Sequence, residues 1–92
     1  MMPESGPTLV IDRRLDARGW LCPRPVIEAR CLLQQMAPLA VLEVLLTDPH
    51  GPLDFQVLCE RNGYLLHAII PSAEDDDHDQ LWRILLSRQG DR

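Results

Sequence analysis

The apolar positions of this chain switch between a two-residue period and a three-to-four-residue period, and each switch falls beside a glycine or proline. Thr8-Leu9-Val10-Ile11 opens a β-type run extending toward Leu15, and Arg18-Gly19 ends it as a turn. From Pro23 to Ala37, Val26, Ala29, Leu33 and Met36 recur at the spacing of one buried helical stripe, and Pro38 stops the helix. Ile27 and Cys31 fall beside that stripe, so Cys31 is expected to be partly exposed. Val41–Thr47 reads as a second strand, with Leu42, Val44 and Leu46 on one face and Glu43, Leu45 and Thr47 on the other. Asp48-Pro49-His50-Gly51-Pro52 is turn chemistry. Leu53–Asn62 predicts a short helix with Phe55, Leu58 and Cys59 as its apolar face and Gly63 at the C′ position. Tyr64–Ile70 predicts a third strand, 72–79 a polar acidic loop, and Leu81–Arg88 a fourth strand in which Trp82, Ile84 and Leu86 alternate.

The order is βαβαββ, an α/β (α+β) pattern whose strand–helix–strand unit requires a parallel pair and a right-handed crossover. Leu45, Leu65, Ile69, Leu81 and Leu85 fall opposite the assigned core face. Either they form a self-association or partner surface, or the strand phases are displaced by one residue and the faces exchange.

At 92 residues the chain fits one domain, taken as 8–90 behind a frayed tail at 1–7. Met1–Pro7 lacks the basic start and apolar stretch of a signal peptide, and no apolar run is long enough to span a bilayer, so a cytoplasmic protein without membrane contact is expected. A net charge of −5 argues against direct nucleic-acid binding. The charge is unevenly spread. Residues 13–30 carry Arg13, Arg14, Arg18, Arg24 and Arg30 against Asp16 and Glu28, whereas 74–79 carry Glu74, Asp75, Asp76, Asp77 and Asp79. The basic stretch is either an anion or docking patch or an ordinary solvated surface.

That basic stretch contains Gly19-Trp20-Leu21-Cys22-Pro23-Arg24-Pro25. Prolines suit a helix's first turn, and Pro23 biases Cys22 toward extended backbone, so Cys22 should sit at or just before the N-cap. The positive end of the helix, with Arg24 and Arg18 nearby, should lower the Cys22 pKa below the ordinary value of about 8.5 and make it a nucleophile. The plain alternative is a small apolar residue that starts a helix. His50, His67 and His78 are scattered, and His50, in the turn after the second strand, is the best placed of them to lie near Cys22. No C-x₂-C pair anchors a metal site, and no cofactor motif is present, so neither is expected.

The segment Leu15-Asp16-Ala17-Arg18-Gly19-Trp20-Leu21-Cys22-Pro23-Arg24-Pro25-Val26 resembles the signature of the TusA/SirA-like family of small sulfur-carrier proteins. Asp48-Pro49, Asp54-Phe55, Cys59 and Gly63-Tyr64-Leu65-Leu66 fall where that family has its later motif. The resemblance spans about residues 12 to 70. It implies a two-layer sandwich, with two helices on one face of a four-stranded mixed sheet. It also implies that Cys22 matches the sulfur-carrying cysteine. Such a carrier accepts persulfide sulfur from a cysteine desulfurase or another sulfurtransferase and hands it to an acceptor protein. Family outlets include tRNA thiolation, molybdenum-cofactor biosynthesis and sulfur oxidation. Pro23, Arg24 and Pro25 would support the helix start, and Arg18, Gly19, Trp20 and Arg30 are candidates for partner docking. A monomer or weak homodimer is expected. The chain departs from the family at Pro38-Leu39, where members often have Pro-Gly and the turn should therefore differ, at Cys31, often basic, and at Trp20, usually smaller.

A different class of function, a non-catalytic interaction or regulatory module using the open sheet face, predicts an ordinary or raised Cys22 pKa with slow alkylation. A redox pairing of Cys22 with Cys31 is disfavoured, because nine residues of helix separate them by about 13 Å and a disulfide needs Cα atoms within about 7 Å. Cys59 should be buried.

Overall fold

A computed structural model describes residues 10–72 and 80–90. The tail at 1–7, most of the acidic loop including 74–79, and His78 lie outside the described residues. The elements are β1 (Arg13–Ala17), α1 (Arg24–Gln35), β2 (Val41–Leu46), α2 (Gly51–Asn62), β3 (Leu65–Ser72) and β4 (Leu81–Ser87). The sheet order is β1-β2-β4-β3, with β1 parallel to β2 and the other pairs antiparallel. Both helices pack on one face, giving the expected open two-layer sandwich.

The core forms where the helical stripe meets the strand alternation. Ala29 and Leu33 of α1 and Phe55, Leu58 and Cys59 of α2 lie against Leu42, Val44 and Leu46 of β2 and Ile84 and Leu86 of β4. Fully burying a side chain such as Leu33, Leu42 or Phe55 contributes about 1.5–3 kcal/mol. These residues are the ones the two periodicities pick out.

The first strand begins later than its apolar run suggests. Residues 10–12 are irregular and Val10 is exposed. Asp12 explains the boundary: its N–H donates to the Val41 carbonyl at 2.9 Å, and its carboxylate accepts the Val41 N–H at 2.8 Å. The side chain thereby takes the donor that a further backbone rung would use. At the other helix boundary, α2 starts at Gly51 rather than Leu53, because Pro52 fits its first turn. A Cβ on Gly51 would lie 2.5 Å from Leu46 Cδ1, so the close approach of α2 to β2 needs glycine there. α1 is a little shorter than expected, with Pro23 as N-cap and Met36 as C-cap.

Of the residues expected on the open face, Ile69 turns inward. A bulge between Leu66 and Ala68 inserts His67 into the register and exchanges the faces beyond it, so Ile69 packs with the core. Leu45, Leu65, Leu81 and Leu85 keep the expected side, where Leu85 is buried and the others are half-buried. Glu43 is on this face too, and it is fully buried. Its carboxylate is held by Arg14 from β1 and by Arg83 from β4, the latter at 2.7 Å from Nε.

Candidate functional site

Cys22 sits immediately before the N-cap of α1 and is exposed. Two turns fix its position. Gly19, at φ +80°, closes a turn in which the Trp20 N–H reaches the Ala17 carbonyl, and the Gly19 N–H donates to Thr47 Oγ1 at 2.9 Å. The Cys22 N–H donates to Asp48 Oδ2 at 3.1 Å, while the His50 N–H donates to Asp48 Oδ1 at 3.0 Å. One buried carboxylate thus ties the Cys22 turn to the start of α2. The hydrogen bond from the His50 amide, followed by that from Cys22, holds Asp48 below the usual carboxylate range despite its burial. The Cys22–Pro23 peptide is cis.

The Cys22 thiol lies above the ordinary cysteine range, opposite to the expectation. The leading cause is a hydrogen bond to the Asp54 carboxylate; partial desolvation and the negative charges of Asp54 and Asp48 act in the same direction. The helix end does not compensate. Pro23 and Pro25 have no N–H, and the Arg24 N–H is donated to the Leu21 carbonyl at 3.0 Å. The prolines that start the helix also remove two of the donors that could face an anion.

Nor do the arginines converge on Cys22. Arg14 belongs to the open sheet face with Glu43. Arg18 grips Asp16 through two contacts of 2.8 Å, and this hydrogen bonding brings Asp16 down to about 2. The Arg24 guanidinium stacks over the Trp20 ring at 3.9 Å from its centroid, and Trp20 itself packs on the core edge. Arg30 is exposed on α1 and lines a separate groove with Ile27, Cys31 and Gln34. The side chains brought to Cys22 are instead those of α2. A cavity of about 270 Å³ is bounded by Cys22, Pro23, Val26, Asp54, Val57, Leu58, Arg61 and Asn62. His50 caps α2 with its ring exposed, and its Nδ1 is 3.7 Å from Asp48 Oδ1. Cys31 is exposed; Cys59 is buried, and burial pushes its thiol up to about 11. Among the described residues no helix is long and apolar enough to cross a membrane.

Sequence reasoning missed Asp48, Asp54 and Arg61 as neighbours of Cys22. Both aspartates did stand out as part of the later motif, although the residues alone gave Asp48 only a turn role and Asp54 none.

The arrangement is a small α+β sandwich that presents one exposed cysteine where its two helices begin. A SirA-like protein from Desulfitobacterium hafniense has a similar crystal structure, with a TM-score of 0.61 and 27% identity over 80% of this chain and 96% of that one. The chain belongs to the TusA family: the family model described as Sulfurtransferase TusA matches residues 13–88. A Neisseria meningitidis serogroup A relative is 39% identical over 62 residues, covering 67% of this chain and 80% of that protein. The sulfur carrier protein TusA of Pseudomonas syringae pv. tomato is 34% identical over 67 residues, 73% of this chain and 80% of its own length.

Proposed function

We propose that this protein is a sulfur carrier in which Cys22 takes sulfane sulfur from a donor persulfide and relays it to an acceptor protein. The observation that carries this reading is the exposure of Cys22 at the start of α1, beside an open cavity, in a chain of the TusA family. The donor is a cysteine desulfurase or another sulfurtransferase, and the acceptor serves tRNA 2-thiouridine synthesis or sulfur metabolism in the cytoplasm. Pro23, Arg24 and Pro25 set the helix start behind the cysteine. Gly19 and Trp20, with Arg24 on its ring, form the adjoining rim, and Arg18 and Arg30 extend the docking surface to either side. Exchange requires only an accessible sulfur, a sufficient thiolate fraction and a leaving thiol.

The raised Cys22 thiol is the observation that favours the second reading, an interaction module using the open sheet face. Sulfur loading separates the two. Incubation with a cysteine desulfurase and cysteine is expected to add a sulfur atom to the wild-type chain, read by intact mass, and Cys22→Ser is expected to abolish the gain. A Cys22→Ser protein that loads as readily as wild type overturns the assignment.

A further inference from the structure

On the carrier reading, an exposed cysteine whose nearest ionisable neighbours are carboxylates poses a chemical problem. The attacking species is the thiolate, yet the charged groups around Cys22 disfavour it. Asp48 approaches from the β2–α2 turn, its two oxygens occupied by the Cys22 and His50 amides, with the His50 ring beyond it. α2 supplies Asp54 and Arg61, which border the same cavity as Cys22. Arg24, the nearest basic residue in sequence, stacks on Trp20. Of the two aspartates, Asp48 is committed to the backbone. Asp54, half-buried in the first turn of α2, borders the cavity into which Cys22 opens and is the carboxylate left uncommitted there.

We propose that Asp54 is the proton partner of Cys22, holding the sulfur as a thiol between transfers and accepting its proton when a donor persulfide enters the cavity. In the loading step Cys22 Sγ attacks the outer sulfur of R–S–SH while its proton passes to the Asp54 carboxylate. The Sγ–S bond forms, the donor S–S bond breaks, and the departing R–S⁻ takes the proton from Asp54. The balance is Cys22–SH plus R–S–SH giving Cys22–S–SH plus R–SH, with no external oxidant or reductant. Arg61 borders the same cavity.

A carboxylate that acts only as an electrostatic brake and one that moves a proton make opposite predictions when neutralised. Asp54→Asn is isosteric, and a Cys31→Ser background removes the other exposed thiol. Two readouts are needed: iodoacetamide alkylation of Cys22 against pH, and single-turnover loading from glutathione persulfide by intact mass. In Asp54→Asn, alkylation at pH 7 is expected to rise about tenfold, because the thiolate is no longer opposed by a neighbouring charge. Loading at the same pH is expected to fall by about tenfold or more, although more thiolate is present, as the proton acceptor has been lost. Loading that rises in step with alkylation overturns the proposal, and so does an alkylation profile that does not move. Failure of the wild-type chain to load counts against the carrier reading instead; the alkylation profile, which uses no sulfur donor, still decides whether Asp54 governs the thiol.

Discussion

Leu39 shows how much a single position can absorb. It occupies the turn between α1 and β2 at φ +70°, in the left-handed region that glycine favours, at the point where the family often has Pro-Gly. A leucine held there costs about 1–2 kcal/mol, part of which glycine would return as greater freedom in the unfolded chain, roughly 0.4–1 kcal/mol. Leu39→Gly is therefore expected to raise the urea midpoint modestly, and a lower midpoint would show that the leucine side chain matters more than its backbone. The change at Pro38-Leu39 was visible in sequence, but its consequence was not: a side chain can be read from the chain, whereas the φ it is forced to adopt depends on what the turn joins. The same holds at Cys22. Its place before the helix was legible from Pro23 and Pro25, because ring constraints act locally. Its thiol was misjudged because the deciding carboxylates come from α2 and the turn before it, some thirty residues later.

At the scale of elements, the sequence resolved periodicity and blurred the ends. The stripe of α1 and the alternation of β2 and β4 were legible because one buried face imposes each period. The ends are set by distant groups: Asp12 for β1 and, at the C-terminus of α1, Arg88. That arginine follows β4, and its guanidinium donates to the Leu33 carbonyl at 3.1 Å and the Met36 carbonyl at 2.7 Å. α1 has no basic residue in its own last turn, so the end of the chain supplies the cation that its carbonyls favour. Arg88→Ala is expected to lower stability by about 1–3 kcal/mol through the loss of two charge-assisted hydrogen bonds, read by urea denaturation; a change within a few tenths of a kcal/mol would mean that water replaces the guanidinium without cost. The β3 bulge had no signal in the alternation, since an inserted residue is apparent only once its partner strand is known.

For the whole molecule, the open sheet face is organised by Glu43 as well as by leucines. Its side chain is wholly inaccessible, yet it joins β1, β2 and β4 through Arg14 and Arg83. Burial alone would raise Glu43, but the hydrogen bonds from Arg83 and Arg14 outweigh it and hold the carboxyl below its usual range. The stability from this pairing is complete above the unfolded carboxyl value of about 4.3 and is lost as pH falls through the lower folded value. Arg83→Met leaves a buried carboxylate with one partner and is expected to cost about 3 kcal/mol near pH 7. The deficit should shrink as the pH approaches 4, because the orphaned carboxyl then escapes its charge by protonation. Denaturation at both pH values checks this, and an equal deficit at each would place the loss in packing rather than charge. Sequence periodicity put Glu43 on the face of β2 opposite the core, and only the sheet order, which sets an arginine strand on either flank, accounts for its burial.

The three backbone nitrogens that lead into α1 have no hydrogen left to offer: two are proline and the third is spent on Leu21. On the proposed carrier reading, a sulfur added to Cys22 therefore receives no amide hydrogen from these three positions. Its hold on the protein would rest on the disulfane bond and on the side chains that α2 brings to the cavity.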